Sequence, residues 1–270
     1  MLILAGYLRN FGLFLFLCLL IIVPTSTTLA SHEGLNCTTC HLPTGKTSKK
    51  HSSRDLRQPA SALCFSCHDA ELDASGLNPP YVINGRKELA GGSFTATLYA
   101  DGMGHNLANM DLTLGLTPPG GQPLPEFTCL SCHDPHANGN CRNLKKKING
   151  VQTLVQCDSD PGYQNNLYIS GISTFCGACH QRFGNAGTSA ARQRHPVDIY
   201  ISSAPKANFN HWARLDQRVT IAQFPQGNGN ARDGQVFCLT CHRAHGSAYQ
   251  DAMRWDYGKS SQGCLECHTF

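Results

Sequence analysis

Six segments of this chain place two cysteines three residues apart with a histidine directly after them. They are Cys37–Cys40–His41, Cys64–Cys67–His68, Cys129–Cys132–His133, Cys176–Cys179–His180, Cys238–Cys241–His242 and Cys264–Cys267–His268. The spacing has a chemical reading. Two thiols on one side of a helical turn can add to the two vinyl groups of a single porphyrin. The adjacent imidazole is then aimed at the iron as its proximal ligand, which is the attachment pattern of c-type haem. A zinc ribbon also uses paired Cys-x-x-Cys, but it does not require His after every second Cys. All six pairs here carry one. Six covalently attached haem c groups are therefore expected.

The motifs use twelve of the fifteen cysteines and leave Cys18, Cys141 and Cys157. Cys18 falls inside residues 1–30, which read as a secretory signal: Arg9, the uncharged apolar run Phe11–Val23, Pro24, and the small-x-small site Thr28-Leu29-Ala30. Leu15-Phe16-Leu17 lacks the small residues expected before a lipidated Cys, and the apolar run is short for a membrane span. The expectation is an exported protein, periplasmic or at the cell exterior, with no integral anchor once the signal is removed. In an oxidising compartment Cys141 and Cys157 are expected to form a disulfide.

The formal charge of +4 is misleading, because each haem brings two propionates. With six ferric haems the processed chain sits at about −3. The basic side chains therefore have propionates to offset, and no nucleic-acid partner is implied. Lys145-Lys146-Lys147 is the one compact basic run, read as a solvated loop face.

Elements to hold these sites must be short. Processing after residue 30 leaves about forty residues per haem, too few to enclose each porphyrin in a separate core. The fold class expected is mostly irregular, with short α-helices at the motifs and a few short strands at Phe94–Tyr99, Leu167–Ile169 and Val197–Ile201. Gly- and Pro-rich stretches such as Pro118–Gly121 and Pro225–Gly229 agree with this.

Motif starts are separated by 27, 65, 47, 62 and 26 residues, so they fall into three close pairs. The middle pair is wider because of an insertion holding Cys141 and Cys157. The division expected is a first haem pair in 31–95, a second with the Cys141/Cys157 loop in 96–186, and a connector with the third pair in 187–270. Local duplication agrees: Phe127–His136 echoes Phe237–His245, and His105–Asp111 loosely echoes His211–Asp216.

Seven histidines lie outside the motifs: His32, His51, His105, His136, His195, His211 and His245. Six irons would need six of these seven as distal ligands. Beyond the signal only Met103, Met110 and Met253 are available, so His/Met ligation is not general. Bis-His ligation implies low reduction potentials. His136 and His245 stand three residues after a proximal His, too close to fold back onto the same iron. They are expected to serve the paired neighbour, and His51 to do so in the first pair. Repeat logic assigns His32 with His51, His105 with His136 and His211 with His245, which leaves His195 spare.

The chain resembles the multihaem cytochromes built from doubled CxxCH units, typical of metal-respiring bacteria. The resemblance covers the chain beyond residue 30 and implies a bis-His electron carrier, and some such relatives polymerise into extracellular haem filaments. Arg194-His195-Pro196-Val197 resembles a distal-ligand segment of that family. Electron transfer is the function expected, not catalysis. Its partners would be redox proteins, an extracellular acceptor or, in a filament, the protein itself. A multihaem reductase would need an iron with an open position, and the supply of His exceeds the number of irons.

Overall fold

In a computed structural model, the residues described are 32, 35–41, 60–86, 89–95, 103–105, 107, 117–124, 126–136, 138–157, 168–183, 195–201, 223, 234–265 and 267–268. Residues 1–30, expected to be a signal, lie outside them, as do His51 and His211.

Regular structure is sparse and concentrates at the motifs. Helices α1 (Ala60–His68), α2 (Cys129–Cys132), α3 (Ile172–Gly177), α4 (Cys238–Cys241) and α5 (Gln262–Leu265) each contain motif cysteines, and motif 1 forms the 3-10 turn Cys37–Thr39. Helices this short are not stable alone, because nucleation costs more than one or two turns return. Local bonds hold them. Ser131 Oγ accepts from Thr128 N at 3.0 Å, and Thr240 Oγ1 accepts from Phe237 N at 3.0 Å. Each satisfies a backbone donor at a helix start.

Three antiparallel two-stranded ribbons complete the regular structure: β1 (Lys147–Ile148) with β2 (Val151–Gln152), β3 (Gln156–Cys157) with β4 (Tyr168–Ser170), and β5 (Ile199–Tyr200) with β6 (Gln235–Val236). β4 and β5 fall within or beside segments expected to be strands. Phe94 and Thr95 instead form a turn, with Phe94 N donating to Val82 O at 2.8 Å.

Two small apolar clusters replace a single core. Phe65, Ile83, Phe94, Leu107 and Phe127 lie where α1 packs on α2. Ile148, Val155, Tyr168, Ile172, Phe175, Phe237 and Leu239, with others, lie where α3 packs on α4. Both helix contacts join segments on opposite sides of the divisions drawn after residues 95 and 186.

Candidate haem centres

Each motif ends the same way. The amide of the motif histidine donates to the carbonyl of the first cysteine in motifs 1, 3, 4, 5 and 6, at 2.7, 2.9, 2.9, 3.1 and 2.9 Å. In motifs 3 and 5 the chain turns extended at the histidine (φ −108° and −109°), which throws the imidazole clear of the helix.

The imidazoles meet in twos. Ring centroids are separated by 6.0 Å for His32 and His68, 6.1 Å for His41 and His136, and 6.1 Å for His105 and His180. The separations are 6.2 Å for His133 and His245 and 5.9 Å for His195 and His268. Every pair joins one motif histidine to one non-motif histidine. Two metal–imidazole bonds of about 2.0 Å on opposite sides of one ion put the nitrogens about 4 Å apart and the ring centres about 6 Å apart. The donor set and its spacing fit bis-His haem iron.

Ring orientation agrees with that fit. Nδ1 lies within hydrogen-bond reach of a backbone carbonyl in His68 (Pro80, 2.9 Å), His133 (Arg142, 3.1 Å), His180 (Pro119, 3.1 Å) and His242 (Asp251, 2.8 Å). The same holds for His32 (Pro135, 3.2 Å), His195 (Pro196, 2.9 Å) and His245 (Gly92, 3.3 Å). A carbonyl only accepts, so Nδ1 carries the proton and Nε2 keeps its lone pair for a metal. Desolvation pushes His105 down to about 4 and His245 to about 3, and also lowers His68 and His133. These rings stay neutral, which is the form that binds iron.

The pairing departs from repeat logic in two respects. His136 and His245 meet His41 and His133, two motifs upstream, and do not meet the paired neighbour. The backbone continues extended beyond His133 and His242, so the next imidazole projects away from the close-spaced partner motif. His195, the spare in that scheme, faces His268. It fills the role that His32 and His105 fill for His68 and His180. His242 has no histidine ring opposite it among the described residues, where its ring is exposed.

The thiols order the motifs. Cys64 hydrogen-bonds Cys129, and Cys176 hydrogen-bonds Cys238, joining motif 2 to 3 and motif 4 to 5 through their first cysteines. The other junctions are looser and involve second cysteines: Cys40 acts on Cys64, Cys179 on Cys132, and Cys264 and Cys267 on Cys241. Neighbours in sequence are thus neighbours in space, through two alternating kinds of junction. The hydrogen bond to the facing thiol, and then burial, raise Cys64 and Cys176, while the same shared hydrogen bond lowers Cys129 to about 7 and also lowers Cys238.

The insertion in the middle pair supports two motifs at once. Cys141 and Cys157 are joined as a disulfide. Within that loop the Arg142 carbonyl orients His133, and the Asn149 amide donates to Ala178 O at 3.0 Å beside Cys179. Lys146 and Lys147 are exposed there and Lys145 is half-buried.

Several supporting residues carry no obvious signal in the sequence. Phe94 packs 4.7 Å from the His245 ring and Phe127 5.1 Å from the His105 ring. Ser61 meets the Cys129 amide and Ser173 the Cys238 thiol. The serines could have been found, since each stands three residues before the first cysteine of its own motif.

Comparison with known proteins adds to this geometry. The model of the doubled CXXCH motif family matches residues 30–72 and 228–270. The fold is similar to that of the outer membrane cytochrome S filament from Geobacter sulfurreducens, at 16% identity over 85% of each chain, with a TM-score of 0.54. A second structure, of OmcS nanowires from the same organism, is 17% identical over 56% of this chain and 58% of that one, with a TM-score of 0.36. No curated protein matches the chain.

Proposed function

From the premise that this chain is a multihaem c-type cytochrome of the doubled CXXCH kind, we propose that it binds six haems and carries electrons among them at low potential. The observation that carries the reading is the set of five histidine pairs near 6 Å, each uniting a motif residue with a residue from elsewhere. Bound between such imidazoles, haem iron would supply reversible one-electron exchange.

The chain's own contribution is positional. The twelve motif cysteines hold the porphyrins, and His41, His68, His133, His180, His242 and His268 serve as proximal ligands. His136, His32, His245, His105 and His195 are the distal ligands of motifs 1, 2, 3, 4 and 6 in that order. His51 and His211 remain as candidates opposite His242. Phe94 and Phe127 exclude water from two of the sites. At the five centres with paired imidazoles, haem iron held between the two rings would have no position left for substrate, which favours a carrier over a reductase.

Export supports the same reading, since paired CxxCH sites and a disulfide suit an oxidising compartment. No helix among the described residues is long and apolar enough to cross a membrane. Periplasm or cell exterior is the location proposed, with redox proteins or an external acceptor as partners. A second reading, a subunit of a conductive filament, is favoured by the motif order, which runs in series and leaves motifs 1 and 6 as ends.

Electron paramagnetic resonance of the ferric holoprotein tests the carrier reading. Low-spin signals accounting for all haems are expected, together with six haem equivalents per chain by intact mass. A stoichiometric high-spin signal overturns it in favour of an open-site enzyme.

A further inference from the structure

Charge is divided unevenly along the chain. Residues 135–197 hold seven lysines and arginines but only two carboxylates, Asp158 and Asp160. The rest of the chain beyond residue 30 holds fourteen cations and sixteen carboxylates. Even with the propionates and ferric charges of two haems added, the basic stretch stays at about +3. Propionates therefore do not account for the surplus, and a local surplus of this kind steers an oppositely charged partner.

The fold lays this surplus along motif 4. The Leu154 carbonyl lies against Gly171, where α3 begins. Asn149, in the turn between β1 and β2, donates to Ala178 O at 3.0 Å and meets Cys179 Sγ at 3.5 Å, near the other end of the motif. Just beyond it, Phe183 N donates to His180 O at 2.8 Å and Arg182 N to Gly120 O at 3.1 Å. The hairpin and this turn thus flank the second cysteine of motif 4.

Their outward side chains are of two kinds. Lys146, Lys147 and Arg182 are exposed. Val151, Leu154 and Phe183 are 40%, 61% and 48% exposed. The described segments 117–124, 138–157 and 168–183 contain no Asp or Glu. By itself Lys145–Lys147 is a solvated run, but exposed apolar side chains beside it make a mixed surface. Charge guides an encounter with such a surface, and the apolar groups give contact once water is displaced. Motif 4 also has neighbours on both sides, motif 3 through Cys132 and motif 5 through Cys238. An electron arriving there can pass either way.

We propose that this face receives an acidic one-electron redox protein, its carboxylates on Lys146, Lys147 and Arg182 and its apolar contact on Phe183 and Val151, and that electrons cross there between the partner and the haem of motif 4. The step moves one electron: the partner's centre is oxidised by one and one ferric iron becomes ferrous, with no bond made or broken. The proposal rests on the electron-carrier reading and gives that reading a partner and a place of contact.

Stopped-flow reduction of the ferric holoprotein tests it. Reduced plant-type ferredoxin serves as the acidic donor, and reduced lumiflavin as a small donor that needs no docking face. Lys146→Glu with Lys147→Glu is compared with Arg86→Glu with Lys259→Glu, which reverses two exposed cations elsewhere and changes net charge equally. At low salt the first pair should slow ferredoxin at least about tenfold and the second less than about twofold. The gap should close as ionic strength rises. Lumiflavin should reduce all three proteins at one rate. Carbodiimide should cross-link ferredoxin carboxylates to Lys146 or Lys147 of the wild type, and this decides the matter should a variant lose haem.

Wild-type rates in the first pair overturn the proposal, as do equal slowing by both pairs or cross-links only at other lysines. So does a DNA duplex that binds the wild type more tightly than ferredoxin at equal salt, which assigns the face to a nucleic acid. A holoprotein that lumiflavin reduces reversibly, with ferredoxin indifferent to the substitutions, loses the docking face and keeps the carrier reading. One that neither donor reduces loses the carrier reading.

Discussion

The loops that follow motifs 3 and 5 have the same backbone and are secured by different means. Nine residues after each motif histidine, Arg142 and Asp251 adopt left-handed conformations (φ 54° and 57°), each followed by a second left-handed residue, Asn143 or Ala252. The turn points the Arg142 or Asp251 carbonyl at the histidine Nδ1. In both loops the chain then returns to the second motif cysteine, Lys145 N reaching Cys132 O at 2.9 Å and Arg254 N reaching Cys241 O at 2.8 Å. Strained non-glycine residues persist only where surrounding contacts over-determine them. Here the constraint is orientation of the motif histidine.

Around motif 3 the constraint comes from the insertion. The disulfide closes it, Thr153 Oγ1 donates to Lys145 O at 2.6 Å, and Asn140 Nδ2 donates to Thr153 O at 2.7 Å. Around motif 5 it comes from a buried cation. Arg254, 2% exposed, donates from Nε to Leu239 O at 2.7 Å and from a terminal nitrogen to Ala90 O at 2.8 Å. The histidines three residues on differ in the same way. His245 is braced by Gly91 and Gly92, with its amide donating to Gly91 O at 2.7 Å, whereas His136 is exposed beside Asp134. One ligand-orienting turn can thus be held by a disulfide with neutral hydrogen bonds around it or by the hydrogen bonds of a buried cation.

Removing each histidine should separate ligation from packing. His245→Ala is expected to convert one haem to high spin and to cost on the order of 4 kcal/mol in denaturant unfolding. His136→Ala should give the same spectral change with less than about 1 kcal/mol of destabilisation. Equal stability losses would erase the distinction between the two loops.

Removing the clip should act next most strongly. Cys141→Ala with Cys157→Ala is expected to cost about 3 kcal/mol. The loss should appear in hydrogen exchange at residues 138–157 and leave 242–254 protected. Its counterpart is Arg254→Met, which removes charge-assisted bonds from the other loop and should cost about 2 kcal/mol. Exchange should then rise at 239–254 while the motif 3 loop is unaffected. Smallest is the shared feature at the helix starts: Ser131→Ala and Thr240→Ala should each cost about 1 kcal/mol, by equal amounts in thermal unfolding.

What could be read in advance follows from how local each feature is. The motif helices are legible because two thiols and an imidazole must fit one porphyrin, and that constraint spans five residues. β4 and β5 are legible from short apolar runs. The left-handed turns are not, since Cys141-Arg142-Asn143 and Gln250-Asp251-Ala252 share no residue type and contain no glycine. Their conformation is imposed by a carbonyl that must meet a histidine nine residues away. Phe94, placed in a strand by its apolar neighbours, turns because its amide bonds Val82 and its ring packs near His245.

The residues alone determined the chemistry on offer: how many Cys-x-x-Cys-His motifs there are, which histidines belong to a motif, and that enough others exist to pair with them. The two thiols and the imidazole of a motif are near neighbours in the chain, so spacing suffices to specify them. Tertiary structure decided which distant imidazole faces which motif. It set His136 against His41, His245 against His133 and His195 against His268, separations of 95, 112 and 73 residues. Seven non-motif histidines are chemically alike, and only the path of the folded backbone distinguishes them.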